Sequence, residues 1–441
     1  MGAVLQKQGY QTRLFPTPEQ DEALRCHCGT SRWAFNWALE IKDDAFKKKE
    51  RIPNAIDLHK VLNLLKKTEE HAWLYEVSKC APQEALRDCD TAYKNFFRRC
   101  REKKRGKKGY PKYKSKRGSK ASYRVTGTIK FLEGGLVQLP HVGIVKMAEK
   151  DYFPLTDNAG AATISESCGE WYISAVLPCK KKEIPKPKNL INGIDLGIKA
   201  FATPAIGDAV MAPKPLKRNL KKLKRKQRQL SRKKKLERRK EGKKTIVIEG
   251  KNRAKARLAV ARLHRKIGNI RRDATHKLTS KLSDENQILI IEDLKTSNLL
   301  KNRKLARAIS DVGFYEFKRQ MEYKCKRNGR TLILADTFYP SSQLDHKDGI
   351  QNTALTLAVR VIHHRDGTQT DRDRNAAINL VIYVLAGFHL MSGTKYREFF
   401  GNSSLWRWDL WEKFINGTAS VGEAEQLLSS VSEAGKGHAQ V

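Results

Sequence analysis

The chain has 441 residues, too many for one ordinary hydrophobic core, and this length indicates two or three domains. Lys and Arg number 88 against 47 Asp and Glu, which gives a formal net charge of +41. A hydrophobic content of 39% excludes global disorder, and the excess positive charge requires a polyanion, most naturally nucleic acid. No apolar run has the length of a membrane span or a signal peptide, so we expect no membrane association.

The eight cysteines are scattered along the chain, without the spacing of a secreted disulfide framework. Cys26 and Cys28 flank His27, but they lie in a helical pattern with no second ligand pair nearby. We therefore expect reduced thiols that bind no metal. This composition favours a cytoplasmic protein, associated with the nucleoid if its host is a prokaryote.

The first half of the sequence predicts a β-domain with a helical insertion. Residues 1–15 alternate in polarity like a strand, and Thr17, Pro18 and Gln20 form the pattern of a capping box that begins a helix. Helical periodicity covers three segments, at about 18–48, 55–67 and 80–103. Short β-rich runs separated by Gly, Pro and Asn follow. We predict an antiparallel β-barrel of residues 1–15 and 110–182, and a helical domain of residues 16–109.

The second half alternates strands with helices, which predicts an α/β domain and makes the whole chain an α+β multidomain protein. A Pro- and Lys-rich linker is predicted at residues 183–189. The α/β domain is predicted to comprise residues 190–340 and 369–395, with a basic helical insert at about 216–283. An irregular insertion is predicted at residues 341–368 and a partly disordered tail at 396–441. The Gly, Ser, Ala and Glu content of the end is the reason to expect disorder there.

The basic insert carries a dense run of positive charge. Of the residues from Lys217 to Lys240, fifteen are Lys or Arg and one is acidic. Four leucines recur at helical spacing in and beside this run, at Leu216, Leu220, Leu223 and Leu230. A helix of this kind packs through its apolar face and presents the cationic face to phosphates. The predicted nucleic-acid contacts are Lys221, Lys224, Arg225 and Arg228.

Three carboxylates lie at the ends of predicted elements. Asp195 and Glu292 each end an apolar strand, and Asp373 opens a helix whose next residues are small. Each alone is more simply a turn former or a helix cap. Phosphodiester hydrolysis, however, needs an activated water and a cation near the leaving oxygen, which two magnesium ions with oxygen ligands supply. We therefore predict that these three residues are catalytic magnesium ligands, whereas Asp293 points to the opposite side of its strand.

The order of these elements is that of a ribonuclease H-like domain, and several segments resemble one protein family. GIDLGIKAFAT, IIEDLKTSNLL and TDRDRNAAINL are similar to the three RuvC motifs of TnpB proteins and of the compact type V CRISPR nucleases. TRLFPTPEQ, GTSRWAFNWALE and GYPKYKSKR resemble the wedge and recognition regions of this family. The resemblance implies a β-barrel wedge, a helical recognition domain and a RuvC nuclease domain. It also selects Asp373 over Asp371, because the family's third carboxylate lies two residues before Asn-Ala-Ala.

The resemblance further implies a transposon-derived guide RNA that pairs with double-stranded target DNA, while the protein reads a short flanking motif. Lys79 and Gln83, one helical turn apart, are candidate readers, since Gln can form two hydrogen bonds with adenine. Gln83 could equally be an ordinary surface residue, and Tyr113 part of the β-domain core. Aromatic and basic residues, which together stack on bases and hold phosphates, alternate at Tyr110, Lys112, Tyr113 and Lys114. We expect a monomer or a weak dimer.

The insertion before the third motif departs from the family pattern. Family members commonly carry two zinc-binding Cys-x-x-Cys-Gly pairs there. The cysteine positions of this chain hold Asp345, Asp348, His363 and Asp366. Because structural zinc prefers thiolate and imidazole ligands, we expect a degenerate knuckle without zinc.

Three alternative functions are open at this point. They are a nuclease-inactive RNA-guided repressor, a type V CRISPR effector that uses a crRNA, and a ribonuclease H-like transposase. Acidic residues at all three motif positions disfavour the repressor. The N-terminal half favours guided cutting over a transposase, which would more often carry a helix-turn-helix DNA reader there. The sequence does not distinguish a TnpB protein from a CRISPR effector.

Overall fold

The computed structural model describes residues 6–102, 106, 108–116, 120–179, 183–233, 237–241, 244–355, 358–391, 395–401 and 406–437. The chain divides after residue 182 into two compact units. Among the helices in these ranges, none combines the length and the apolar character of a membrane span.

The first unit contains a seven-stranded antiparallel sheet in the order β2-β6-β7-β1-β5-β4-β3. Its strands are β1 (Gln6–Phe15), β2 (Ser122–Gly127), β3 (Lys130–Leu132), β4 (Leu136–Leu139), β5 (Gly143–Met147), β6 (Gly160–Ser167) and β7 (Glu170–Cys179). One apolar core draws side chains from every strand, including Val125 and Phe131 on the two edge strands. Within the described ranges no ladder joins β2 to β3, so the predicted barrel is open there. Gly127, with a φ of 93°, turns the chain between these two strands.

Helices lie between β1 and β2 in this unit. They are α1 (Pro18–Lys47), α2 (Ala55–Leu65), a 3₁₀ helix (Glu69–Tyr75) and α3 (Cys80–Arg101). The predicted capping box is confirmed, because the Thr17 hydroxyl accepts from the Gln20 N–H and the Gln20 side chain accepts from the Thr17 N–H. Leu39, Leu58 and Leu86 belong to a separate core that holds these helices together.

The cysteines of the chain are all free thiols. Between Cys26 and Cys28, the buried His27 ring contacts the Ala23 carbonyl through Nδ1 and accepts the Ser78 N–H at Nε2. Because both ring nitrogens are used inside the protein, this segment offers no imidazole for a metal.

The second unit is built on a five-stranded sheet in the order β10-β9-β8-β13-β14. In chain order its elements are β8 (Asn189–Asp195), β9 (Ala200–Pro204), β10 (Val210–Met211), α4 (Pro215–Ser231), β11 (Glu237–Glu241), β12 (Lys244–Ile248), α5 (Lys251–Glu285), β13 (Asn286–Glu292), α6 (Thr296–Leu299), α7 (Ala306–Val312), α8 (Phe314–Arg327), β14 (Thr331–Ala335), β15 (Val361–His363), β16 (Gln369–Asp371), α9 (Arg372–Leu385), 3₁₀ helices at Phe388–Leu390 and Lys395–Phe399, α10 (Trp408–Ile415) and α11 (Val421–Gly437). Strands β8, β13 and β14 are parallel, whereas β9 and β10 are antiparallel.

Side chains of the central strands alternate between two cores. Ile288 and Ile290 of β13 pack in the core that contains α9. Leu289 and Ile291 pack in the core formed with α5 and α8. The sheet is therefore buried on both faces, as parallel strands require.

The basic insert is not helical throughout, which corrects the prediction for residues 216–283. Helices α4 and α5 pack together through Leu223, Leu263 and Ile267. A hairpin of β11 and β12 lies between them in the chain. The sequence TIVI in β12 explains the difference, since β-branched residues favour strands.

Of the tail expected to be partly disordered, the structure describes residues 396–401 and 406–437, and the remaining residues lie outside the described ranges. Helices α10 and α11 cover most of this segment, and Trp411, Leu410, Leu427 and Val431 are buried in the core around α9. Apolar residues at helical spacing suffice to bury one side of a helix in an otherwise polar segment.

Trp411→Ala should lower the free energy of unfolding of the second unit by about 3–5 kcal/mol, because removal of a fully buried indole leaves a cavity. Ile415, on the same helix and 49% exposed, is the matched control. Ile415→Ala should change stability by less than about 0.5 kcal/mol. Chemical denaturation followed by circular dichroism measures both, and equal losses would contradict the core position of Trp411.

Candidate functional site

The three predicted catalytic carboxylates come from three elements that meet at one end of the parallel strands. Ile194 of β8 pairs with Ile291 of β13, which places Asp195 and Glu292 side by side at the next position. Both point to the sheet face that α9 covers, because side chains alternate along a strand. Asp373 lies in the first turn of α9, and its charge acts on Asp195 together with that of Glu292. The structure thus brings the three carboxylates close enough for the charges of Glu292 and Asp373 to act on Asp195.

Burial raises the pKa of the Asp195 carboxyl well above its ordinary range, and the negative charges of Glu292 and Asp373 raise it further. Burial also raises the pKa of Glu292, an effect opposed by a hydrogen bond from the Ser341 hydroxyl. Like charges held together in this way favour a bound cation, and carboxylate oxygens are the ligands that magnesium prefers. The residues present therefore fit a magnesium centre.

Asp195→Asn should raise the unfolding temperature of the metal-free protein at neutral pH. The folded-state pKa of Asp195 lies above the unfolded value, so its contribution to stability is present at acidic pH and lost as pH rises through the folded-state pKa. The neutral amide of asparagine does not lose stability as pH rises. Each kcal/mol gained in the free energy of unfolding should raise the unfolding temperature by about 2–4 °C. Calorimetry in EDTA measures the shift, and magnesium should then stabilise the wild type more than the variant. A variant that unfolds below the wild type in EDTA would contradict the assigned cost of the Asp195 charge.

Contacts around the cluster separate it from neighbouring acids. Asp371 is the N-cap of α9 and accepts two backbone N–H groups of the first helical turn. Asp293 forms an ion pair with Lys318 of α8, on the other face of the sheet. The Arg360 guanidinium lies 3.5 Å from the carboxylate of Asp373. Sequence reasoning did not identify Arg360 or the Ser341 contact, since both act on residues distant in the chain.

The four predicted degenerate zinc positions do not converge. Asp348 pairs with Arg365 at 3.5 Å, and Asp366 pairs with Lys347. His363 is exposed on β15. These ion pairs use two of the four side chains, so this set is not a ligand cluster.

A different set gathers in the same insertion. Asp345, His346 and His364 each offer a ligand atom within 4.8 Å of the others. Burial lowers the pKa of His346 to about 4, so its ring is neutral at neutral pH. Neither His346 nor His364 was identified from the sequence. For the adjacent pair His363 and His364, the alternation of side chains along the chain decides which ring is buried, and only the fold fixes that alternation. The repeated histidine in HH at positions 363 and 364 was the available signal.

The predicted nucleic-acid contacts in the first unit are partly exposed. Lys79 is exposed at the start of α3, and Gln83 lies one turn later and is half-buried. The Tyr110 hydroxyl donates to Asp43, and the Lys114 ammonium lies 3.8 Å from the centroid of a phenylalanine ring, so both side chains face the helices. Lys112 and Tyr113 are exposed, and Tyr113 is therefore not part of the β-domain core.

Helix α4 presents the predicted cationic face. Its single buried leucine, Leu223, packs on α5. The four predicted contacts, Lys221, Lys224, Arg225 and Arg228, are all exposed. Their side chains are available to phosphates, and their role in binding stays a prediction.

Three protein-family models match this chain. The model described as "Probable transposase" (OrfB_IS605) matches residues 176–303, the Cas12f1-like TNB domain matches residues 314–380, and a helix-turn-helix domain of OrfB proteins matches residues 1–51. The last description differs from the structure, in which β1 is followed by the single long helix α1.

Solved and curated proteins are similar over most of the chain. A chain of the solved Cas12f1–sgRNA–target DNA complex aligns with this protein over 85% of this chain and 98% of the Cas12f1 chain, with 13% identity and a TM-score of 0.49. A Streptomyces pristinaespiralis protein is 37% identical over 388 residues, which are 86% of this chain and 90% of the relative. InsQ of Escherichia coli K12 is 30% identical over 352 residues, 76% of this chain and 82% of the relative. Both relatives carry the provisional name RNA-guided DNA endonuclease. Because these two matches span most of both chains, the protein belongs to the TnpB (OrfB/IS605) family.

Proposed function

We propose that this protein is an RNA-guided DNA endonuclease that hydrolyses target DNA at a two-magnesium centre. The observation that carries the proposal is the convergence of Asp195, Glu292 and Asp373 from two parallel strands and one helix. The strand order, with β8 between antiparallel β9 and parallel β13, supports a ribonuclease H-like (RuvC) domain. The provisional names of the relatives support the guided reaction.

The three carboxylates would hold the magnesium ions, which supply an activated water and neutralise charge on the leaving oxygen. The Ser341 hydroxyl donates to Glu292 and limits its rotation. Arg360 lies beside Asp373 with 55% of its side chain exposed, so it can contact a DNA phosphate at the edge of the cluster. These two residues position the centre and its substrate.

Guide RNA and target DNA would bind the cationic surfaces of both units. In this proposal Lys79 and Gln83 read the flanking duplex motif, and Lys112 and Tyr113 contact exposed nucleotides. The cationic face of α4 would neutralise phosphates without reading bases.

Sequencing of RNA that co-purifies with the protein, followed by a plasmid depletion assay with a randomised flank, tests the function. We expect one discrete RNA scaffold and depletion of a short flanking motif. Heterogeneous RNA with no depleted motif would contradict guided cleavage and indicate a general cationic DNA binder.

Alanine at Lys221, Lys224 and Arg228 together should weaken nucleic-acid binding. For a duplex, the slope of log affinity against log salt should shrink by roughly 0.9 for each phosphate that the protein no longer neutralises. Alanine at Lys47, Lys277 and Lys413, which pair with carboxylates, is the matched control. Filter binding over a salt series measures the slope, and equal changes in both triple variants would argue against a phosphate-binding role of α4.

A further inference from the structure

The insertion at residues 341–368 and the start of α9 enclose two buried histidines beside a carboxylate. His364 Nδ1 lies 2.7 Å from Asp345 Oδ1, and the rings of His346 and His364 are 4.6 Å apart between centroids and nearly perpendicular. The two histidines are 2% and 5% exposed, respectively. Side chains of this chemistry are rarely gathered in a core without a bound ion or complete hydrogen bonding.

The hydrogen bonds of Asn375 determine the proton position on His346. Asn375 Oδ1 accepts the backbone N–H of His346 at 3.1 Å, which identifies this atom as the oxygen. The ring Nδ1 of His346 lies 2.7 Å from the same oxygen and must therefore donate to it. In the neutral ring, Nε2 then carries a free lone pair. A histidine that donates one nitrogen to a carbonyl oxygen is oriented as metal-bound histidines are.

In His364 the two ring nitrogens can exchange these roles, so that Nε2 is the donor and Nδ1 carries the lone pair. Its Nε2 lies 2.8 Å from the Thr370 hydroxyl, which can accept an Nε2–H. In that tautomer Nδ1 carries the lone pair next to the carboxylate of Asp345. Two imidazole lone pairs and one carboxylate oxygen are thus available, and each histidine has an outer hydrogen-bond partner.

We propose that Asp345, His346 and His364 form a zinc site through Asp345 Oδ1, His346 Nε2 and His364 Nδ1. Imidazole nitrogens and a carboxylate are zinc ligands, and three protein ligands leave a fourth position for water. Ligands of a tetrahedral zinc lie roughly 3.3 Å apart, so Asp345 and His364 separate by about 0.6 Å on binding. On zinc binding, the proton of the His364 ring moves from Nδ1 to Nε2, where the Thr370 hydroxyl accepts it. The site replaces the metal-free insertion expected from the sequence, because two of its ligands are adjacent to the family's cysteine positions, not in them.

The site would stabilise the packing of the insertion against α9. Asn375, which orients His346, belongs to α9 and also donates to the Leu344 carbonyl. The Trp406 indole donates to the His346 carbonyl, so the C-terminal segment closes the cluster on another side. Asp373 lies two positions before Asn375 in the same helical turn. Zinc would therefore hold the turn that carries a catalytic carboxylate, although the proposal does not depend on nuclease activity.

Zinc content of the tag-free full-length protein tests the site. The Asp195→Ala background removes one ligand of the carboxylate cluster, and excess magnesium chloride competes with zinc for the two carboxylates that remain. After dialysis against zinc chloride, elemental analysis should find about one zinc per chain in this background. His364→Gln and Asp345→Asn should each lose it. His363→Gln, at the exposed neighbouring histidine, is the matched control and should retain it.

Two further measurements do not depend on the folding of those variants. Cobalt chloride added to the Asp195→Ala protein should produce the visible absorption of tetrahedral cobalt, which His364→Gln should lack and His363→Gln should keep. Thr370→Val retains all three ligands but removes the partner of His364 Nε2, and should weaken zinc binding by about 10–100-fold. Absence of both zinc and the cobalt absorption in the Asp195→Ala protein would overturn the proposal. It would leave a hydrogen-bonded Asp345–His364–Thr370 chain in place of the metal.

Discussion

Replacement of Asp195 by alanine is expected to reduce target cleavage by about 10³-fold or more while guide RNA and target DNA still bind. Metal ions contribute several kcal/mol to stabilisation of the transition state, and each 1.4 kcal/mol corresponds to about tenfold in rate. The charges of both Glu292 and Asp373 act on Asp195, so we expect a metal centre held by the three carboxylates to depend on this residue. We expect binding to persist because the cationic residues proposed to contact phosphates are separate from the three carboxylates.

Single-turnover cleavage of a target plasmid and gel-shift binding measure the two effects separately. Asp293→Ala is the matched control, since this neighbour of Glu292 pairs with Lys318 on the opposite face of the sheet. It should retain most of the cleavage. Undiminished cutting by Asp195→Ala would remove the nuclease assignment, and equal loss in both variants would indicate general damage to the fold.

Gly193→Ala should disrupt the cluster of Asp195, Glu292 and Asp373, which we propose to be catalytic, without changing any charged residue. Gly193 precedes Asp195 by two positions on β8, and an added Cβ would lie 2.1 Å from the Ala377 carbonyl oxygen and 3.1 Å from Leu380 Cβ. Helix α9 would have to move away from the sheet, at a cost of about 1–3 kcal/mol or more. Asp373 moves with α9, and a displacement of about 1 Å at a catalytic centre can reduce the rate about 10²-fold.

Thermal unfolding and magnesium-dependent cleavage rates test this prediction together. Gly268→Ala, inside α5, is the matched control, because in the described part of the chain no atom beyond the neighbouring residues and backbone of the same helix lies within 4 Å of the position that its methyl group would take. It should stabilise the helix by up to about 1 kcal/mol and leave cleavage unchanged. Wild-type stability and cleavage in Gly193→Ala would show that α9 does not need the close contact with β8.

Local signals in the sequence determined where many elements begin and what they bury. Thr17 and Gln20 mark the start of α1, because a capping box acts within four residues. The apolar run before Glu292 identifies a buried strand, since both faces of β13 contact helices. The resemblance to TnpB motifs rests on such short segments, and the similarity of whole chains confirms the family.

Sequence patterns did not predict the observed structure at segments whose conformation depends on contacts with residues distant in the chain. The composition of the tail indicates partial disorder, yet Leu427 and Val431 are buried in the core around α9. The pattern of the insert predicts helix, yet TIVI in β12 pairs with β11. Burial against a distant surface adds stability that propensity over a short window does not contain.

By itself the sequence determined most strands and helices of the two units, the three acidic positions and the cationic charge that favours nucleic acid as a partner. Only the tertiary structure decided that β8 pairs with β13, so that Asp195 and Glu292 share one face with Asp373. It also decided that His364, not His363, joins His346 inside the insertion. The physical reason is the same in both cases. Side chains alternate along a strand, and a one-residue difference in register exchanges the buried and exposed positions.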